Sequence, residues 1–394
     1  MDAVNRRRFM QAVGPASLIP ALPGAMLGQM AAVAGPKVID EVVPSSPEAN
    51  AKPKYSIKFA VIGVDHNHIL SITSAVQRGG GQLVSVFSKN PQYPKALADF
   101  QARFSGVKVA RSEDEILNDP EIQLVCGAPI PDQRAELGIR VMRHGKDYLA
   151  DKPGIITLEQ LAEVRKVIKE TGRIYAILFS ERLEVKAAVK AGELVKAGAI
   201  GKVVQTVNLA PHQVNAPSRP DWFWDPARYG GILCDIGSHQ VDQFVYYTGS
   251  TVADVSASQV ANVRYSDHPK FQDFGDIMLH GNGGAGYVRV DWFTPGGVGV
   301  WGDGRLFILG TEGYIELRKY ADIAGRKGGN HLLLVDQKVQ RYIDCNNVYL
   351  PFGPQFVGDI VNRTHVAQDQ DQALLATELV LKAQKSAKTL TFTT

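Results

Sequence analysis

The apolar positions of this chain change their period once, near residue 180, and the change divides it. Before that point, short unbroken apolar runs alternate with amphipathic segments. Ile57–Gly63 reads Ile-Lys-Phe-Ala-Val-Ile-Gly, the pattern of a strand buried on both faces. A helical spacing over Ile69–Gln77 follows. Further strand runs lie at Leu83–Phe87, Val107–Val109, Leu124–Cys126, Asp147–Ala150 and Ile174–Phe179. Helical patterns at Pro94–Phe104, Ser112–Asn118, Ala135–Arg143 and Leu158–Thr171 separate them. Ser112, with Glu115 three residues on, is a capped helix start. Strands and helices alternating at this spacing predict a doubly wound parallel sheet, with ligands beyond the carboxyl ends of its strands.

After Ser180 the texture differs. One helical segment, Val185–Lys196, precedes alternating runs at Val203–Leu209, Asp254–Val263, Phe274–Leu279, Ala285–Phe293, Arg305–Gly310, Tyr314–Leu317 and His331–Asp336. Glycine and proline punctuate them. This predicts a mostly antiparallel sheet with one face exposed or covered by a partner. A last helical stretch, Gln355–Lys385, closes the chain. The predicted class is therefore α/β. A Rossmann-like parallel sheet spans 55–179, and a C-terminal α/β domain with a large, mostly antiparallel open sheet spans 180–394. Residues 35–54, rich in Pro, Ser, Ala and Lys, read as a linker.

Charge narrows the functional classes. The net charge is +3, and Arg6, Arg7 and Arg8 against Asp2 put +2 of it in the first 34 residues. The remainder has no basic field for nucleic acid or anionic lipid. The start itself, Asn5-Arg6-Arg7-Arg8-Phe9, leads an apolar run ending in Ala32-Val33-Ala34, a candidate cleavage site. Gly14, Pro15, Pro20, Pro23 and Gly24 break the run, which argues against a spanning helix. Residues 1–34 thus read as an export signal of the twin-arginine type. It predicts a periplasmic protein that meets the membrane only through the export machinery. Cys126, Cys234 and Cys345 are too far apart for a disulfide framework or a zinc motif.

Four stretches carry candidate chemistry. The first, Gly63-Val64-Asp65-His66-Asn67-His68, is a strand–turn–helix junction suited to a pyrophosphate. It keeps only the first glycine of G-x-G-x-x-G. The second is Ser88-Lys89, after the second strand, where a hydroxyl and a cation replace the acid that would bind an NAD ribose; this leans towards NADP. The third is Asp151-Lys152-Pro153, at the carboxyl edge of the sheet, where a lysine can steady a developing alkoxide. The fourth is Gly230–Asp242, with Asp235, His239 and Asp242 at spacings of four and three. A carboxylate four residues from an imidazole can orient it as an acid–base pair, or the two can be a helix cap and a core histidine. Arg219, Trp222, Trp224 and Trp292 lie in polar–aromatic loops suited to sugar rings.

Taken in order, these stretches resemble the Gfo/Idh/MocA family of oxidoreductases. Asp151-Lys152-Pro153 stands for the family's Glu-Lys-Pro. Gly230–Asp242 follows its G-G-x-x-x-D-x-G-x-H-x-x-D. Gly198–Val203 and Gly310–Glu316 add two more markers. The resemblance implies an NAD(P)-dependent oxidoreductase acting on CH–OH groups of a sugar, glycoside or cyclitol, with tightly bound NAD or NADP, and a homo-oligomer. It assigns catalysis to Lys152, Asp235 and His239: His239 takes the hydroxyl proton, Asp235 holds His239, and Lys152 steadies the oxygen. Asp242 is structural. Gly63 to His68, Ser88, Lys89, Ala128, Pro129 and Asp151 would hold the dinucleotide. Two departures stand out: the glycine loop, and Ala128-Pro129-Ile130-Pro131-Asp132-Gln133 where the family has T-P-N-x-x-H. The alternatives are an NAD-dependent glycosidase with no net redox change, and a sugar-binding protein without cofactor. No metal site is expected; the remote variant would use His66, His68 and His239.

Overall fold

A computed structural model describes residues 37–89 and 94–392. The export-signal reading of 1–34 lies outside the described residues. In chain order the first part comprises β1 (Lys37–Val42), β2 (Ile57–Val64), α1 (His68–Arg78), β3 (Gly81–Phe87), α2 (Pro94–Arg103), β4 (Lys108–Val109), α3 (Glu113–Leu117), β5 (Ile122–Ala128), α4 (Pro131–Arg143), β6 (Asp147–Asp151), α5 (Leu158–Thr171) and β7 (Tyr175–Leu178). Then follow α6 (Ser180–Leu183), α7 (Lys186–Lys196), β8 (Val203–Pro211), α8 (Pro226–Tyr229), α9 (Ile232–Asp235), α10 (Gly237–Thr248), β9 (Ala253–Ala261), β10 (Phe274–Gly281) and β11 (Gly284–Asp291). The chain closes with β12 (Arg305–Gly310), β13 (Gly313–Arg318), β14 (His331–Asp336), β15 (Val339–Asp344), α11 (Phe352–Asn362), α12 (Gln370–Ser386) and β16 (Lys388–Thr389).

Six strands form a wholly parallel sheet in the order β4-β3-β2-β5-β6-β7. The order reverses between β2 and β5, so the crevice opens outside their carboxyl ends. β2 is buried along nearly its whole length, as its unbroken apolar run requires. The flanking helices are set by local chemistry. Ser112 accepts from the Glu115 N–H to cap α3, as the sequence predicts. Thr157 caps α5, and Gly172, left-handed at φ 62°, ends it. α5 buries Leu161, Val164 and Val167, a stripe at helical spacing.

The second sheet has ten strands in the order β1-β15-β14-β13-β12-β8-β11-β10-β9-β16. Most pairs are antiparallel; β8–β11, β1–β15 and β9–β16 are parallel. α10 and α12 pack over one face, and β8 alternates accordingly, with Thr206, Asn208 and Ala210 buried. Met278 and Val204 remain exposed.

Two expectations are corrected. The linker at 35–54 contains β1, which pairs in parallel with β15 at the sheet edge. A six-residue strand with four of its side chains exposed leaves too short an apolar signal to separate from a linker. The single last helix is two: α11 ends at Arg363, left-handed at φ 57°. The Asp359 carboxylate then accepts from Thr364, Val366 and Ala367 to shape the turn into α12. All three cysteines are buried and unbridged. Among the described residues no helix is long and apolar enough to cross a membrane.

Candidate active site

The cleft at the switch point is framed by two turns. The β2–α1 turn begins at Gly63, whose φ is +81°. A Cβ there would sit 2.7 Å from the Pro129 side chain, so only glycine lets the turn lie against the β5–α4 loop. The α1 N-cap, Asn67, makes no side-chain capping hydrogen bond, and no acid stands in its first turn. The Ile69 and Leu70 N–H groups donate to the His66 and Asn67 carbonyls, so the positive end of the helix dipole, without a side-chain cap, is what this turn offers an anion. Beside it lies a cleft of about 590 Å³, lined by Gly63, Asp65, Lys89, Pro129, Glu113 and Arg228 among others. Ser88 is half-buried and Lys89 exposed at the start of the segment after β3. Gly63, Pro129 and Lys89 thus meet in one space. The volume and the open helix end fit a dinucleotide despite the missing glycines.

His66, Asn67 and His68 do not replace those glycines in kind. The Nδ1 atoms of His66 and His68 lie 2.9 and 3.0 Å from the two oxygens of Asp151. Asp151 is sealed at the end of β6. Arg134, also buried, reaches Asp151 Oδ2 at 3.0 Å and donates to the Pro129 and Pro153 carbonyls. One guanidinium thereby ties the β5–α4 loop to the Asp151–Pro153 turn. Burial alone would raise the Asp151 carboxyl, but Arg134, His68 and His66 together hold it well below the usual aspartate value.

Lys152 follows directly. Its side chain is 6 % exposed, and its Nζ donates to Asp235 Oδ1 at 2.9 Å and to the Asp235 carbonyl at 3.2 Å. Burial would raise the Asp235 carboxyl; the Lys152 ammonium outweighs it and keeps the group below its ordinary value. The aspartate is brought there by Gly230 and Gly231, both at positive φ, and by the short helix α9. Gln272 and Gln384 accept from the first N–H groups of α9 in place of a cap. A Cβ on Gly231 would meet Gln384 at 2.3 Å.

The expected Asp235–His239 pair is corrected here. Asp235 ends α9 instead of capping α10, and its carboxylate is taken by Lys152. His239 Nδ1 is buried without a hydrogen-bond partner. Burial first, then the neighbouring charges of Lys152 and His68, press the imidazole down to about 3, so it is neutral at pH 7. Its ring lies edge-on to Phe179, centroids 6.3 Å apart. Asp242 faces away and pairs with Arg182 at 2.6 Å, as a structural role requires.

A second buried ion pair lies below His239. Lys319 Nζ donates to Glu181 Oε2 at 2.7 Å and to Gln243 Oε1 at 2.8 Å; Gln240 also donates to Glu181. Gln243 in turn donates to the His239 carbonyl. Glu181 acts electrostatically on both His239 and His212. Burial lowers His212 to about 4. The sequence reading missed Glu181, His212, Lys319 and Arg134. Glu181 was within reach of it, because it follows β7 at the same carboxyl edge that singled out Lys152.

The aromatic residues divide. Trp222 lies 6.5 Å from His66, with its buried Nε1 unpartnered, and faces the site. Arg219 lies over the Phe223 and Trp292 rings at 4.3 and 5.0 Å and acts on Asp235. Trp292 is enclosed by Arg219, Phe223, Phe271 and His212, so it supports the wall and offers no free face. Trp224 is stacked on His268 at 3.9 Å, and its ring is occupied there.

Residues 57–179 match the oxidoreductase family with an NAD-binding Rossmann fold, and residues 188–316 match the GFO/IDH/MocA C-terminal domain. A crystal structure from Erwinia carotovora atroseptica SCRI1043, assigned as an oxidoreductase, is 45% identical; the match covers 85% of this chain and all of that one, with a TM-score of 0.82. The scyllo-inositol 2-dehydrogenase (NAD(+)) of Bacillus subtilis (strain 168) is 27% identical over 302 residues, 72% of this chain and 81% of that protein. A levoglucosan dehydrogenase, solved with NADH and levoglucosan, shares the fold: its TM-score is 0.68 at 18% identity, over 84% of this chain and 98% of that one.

Proposed function

Because the chain belongs to the Gfo/Idh/MocA family of NAD-binding oxidoreductases, we propose that it moves a hydride between a ring carbon of a sugar, glycoside or cyclitol and a tightly held NAD or NADP. It is an NAD(P)-dependent oxidoreductase acting on CH–OH groups. The substrate class rests on relatives named for scyllo-inositol, D-xylose and levoglucosan. The observation that carries the proposal is the Lys152–Asp235 pair, at the carboxyl edge of the parallel sheet, beside a neutral, buried His239.

A bound dinucleotide would be held by the β2–α1 turn, Pro129 and Lys89 and would supply the hydride acceptor. Lys152 donates to the substrate oxygen and stabilises the alkoxide charge that grows there as the hydroxyl proton leaves, charge that is discharged into the carbonyl when the hydride departs. Asp235 keeps Lys152 protonated and aimed. His239 accepts the hydroxyl proton. Trp222 and Arg219 wall the ring, with Trp222 Nε1 available to a hydroxyl. Lys89 at the rim favours NADP. The twin-arginine start supports export, and the exposed sheet face with Val204 and Met278 supports a homo-oligomer.

The test is to release small molecules from the purified mature protein with acid and identify NAD(P) by mass spectrometry, then follow its reduction on adding sugars and cyclitols. Absence of bound dinucleotide together with no reduction of added NAD or NADP would sink the reading. Cleavage of a glycoside with no net change in NAD(P)H would instead identify a glycosidase.

A further inference from the structure

His66, His68 and Asp151 carry no proton and no hydride in the reaction above, yet they are held with more care than a loop needs. Among the described residues they are the one group of His, Cys, Asp and Glu side chains placed to hold an ion, with ligand atoms all within 4.8 Å of one another. The histidines come from the β2–α1 turn two residues apart. The carboxylate comes from the end of β6, two strands away in the sheet.

Exposure is graded towards the cleft. The Asp151 side chain is 1 % exposed, His66 20 % and His68 36 %. Each carboxylate oxygen is fixed from behind. The Lys152 N–H donates to Oδ1 at 2.8 Å, and Arg134 stands 3.0 Å from Oδ2. A carboxylate oxygen carries two lone pairs, so the second on each oxygen is left for an ion held between it and the imidazoles. The nitrogens sit 2.9 and 3.0 Å away. That is the spacing of adjacent ligands around an ion with bonds of about 2.0–2.2 Å. Donors behind a ligating carboxylate are the usual outer support of such a site. Two imidazoles and one carboxylate, with further positions open, match divalent transition metals.

We propose that His66, His68 and Asp151 bind one divalent transition-metal ion, whose open positions face the cleft beside Trp222 and the Lys152–Asp235 pair. The site takes an oxygen ligand, from water or from a hydroxyl of the substrate. It also places positive charge in a turn that has lost its phosphate-binding glycines. The proposal replaces the remote variant with His239, because Asp151 and not His239 closes the cluster. It does not depend on the redox reading.

The experiment uses the full chain, made without a polyhistidine tag, stripped with chelator and titrated with Zn²⁺ and separately with Co²⁺. One equivalent per chain should bind, and Co²⁺ should give visible absorption from its d-electrons. Removing a ligand, in His66→Ala or His68→Gln, should weaken Zn²⁺ at least about tenfold and abolish the Co²⁺ bands, with circular dichroism unchanged. His68 is the most exposed of the three, so His68→Gln remains informative if His66→Ala does not fold. No stoichiometric binding, or unchanged affinity in His68→Gln, overturns the site. Bound dinucleotide is assayed separately. Protein that takes up no metal on titration yet retains NAD(P) overturns this site alone, and metal-binding protein without NAD(P) overturns the redox reading alone.

Discussion

The two ends of the cleft hold charge in opposite ways. At the β2–α1 end, Lys89 and the two histidines reach solvent, and one buried pair, Arg134–Asp151, anchors a turn that depends on a single glycine. At the α9–α10 end, Lys152–Asp235, Glu181–Lys319 and Arg182–Asp242 are all buried pairs, stacked from the cleft into the core. The difference follows from what each end does. A dinucleotide brings its own charge and must enter and be tuned, so its end can be built from backbone and solvated groups. A proton and hydride step needs groups whose charge and direction are fixed before substrate arrives, and low dielectric with paired partners supplies that. The acid–base end should therefore be rigid and intolerant, and the cofactor end adjustable.

The sharpest way to break this contrast is at His239. His239→Ala should lower kcat by about 10²–10⁴-fold while the KM for dinucleotide stays within a few-fold. Steady-state kinetics over both substrates checks it, and a loss confined to KM would place His239 in binding. Lys152→Ala should behave alike, and in addition strand the Asp235 carboxylate.

Next in size is the ion pair below the site. Glu181→Gln leaves the Lys319 ammonium buried without its counter-charge, which should cost about 3–5 kcal/mol and show as a lower urea midpoint. An unchanged midpoint would mean that Gln243 alone satisfies Lys319.

Acid should reach both ends, because burial also lowers His66 in the β2–α1 turn to about 4. Unfolded histidines titrate near 6.5, whereas folded His239 and His212 are held at about 3 and about 4. Between those values the unfolded chain binds the extra protons, so stability is complete above pH 6.5 and falls as pH drops towards 4. Asp242, whose carboxyl burial raises, opposes this at the lowest pH. Urea midpoints from pH 7.5 to 5 should fall steadily, and a flat profile would mean that the imidazoles are hydrated in solution.

The smallest expected effect belongs to the cofactor end. Lys89→Glu should raise the KM for NADP about tenfold with NAD little altered, because an exposed charge acts through screened solvent. Equal KM changes for both would remove Lys89 from cofactor choice.

Much of this was readable from residues alone. Unbroken apolar runs before residue 180 and alternating runs after it determine a parallel sheet and an open one, since burial on both faces and burial on one demand different periods. Lys152 and Asp235 were readable too, as a lysine at a strand's carboxyl edge and an aspartate at a Gly-Gly start. Tertiary structure alone decided who partners whom. Asp235 reaches Lys152, 83 positions away in sequence, in preference to His239 four positions on. The helix break at Ile236 and the left-handed glycines turn it out of the helix face that its spacing implied. Glu181 and Lys319, 138 positions apart, meet only because β7 and β13 end beside α10. Periodicity reports which face a side chain takes within its own element. Pairing across elements depends on how those faces pack, and that is why the three acid–base residues stood in the sequence while their alliances did not.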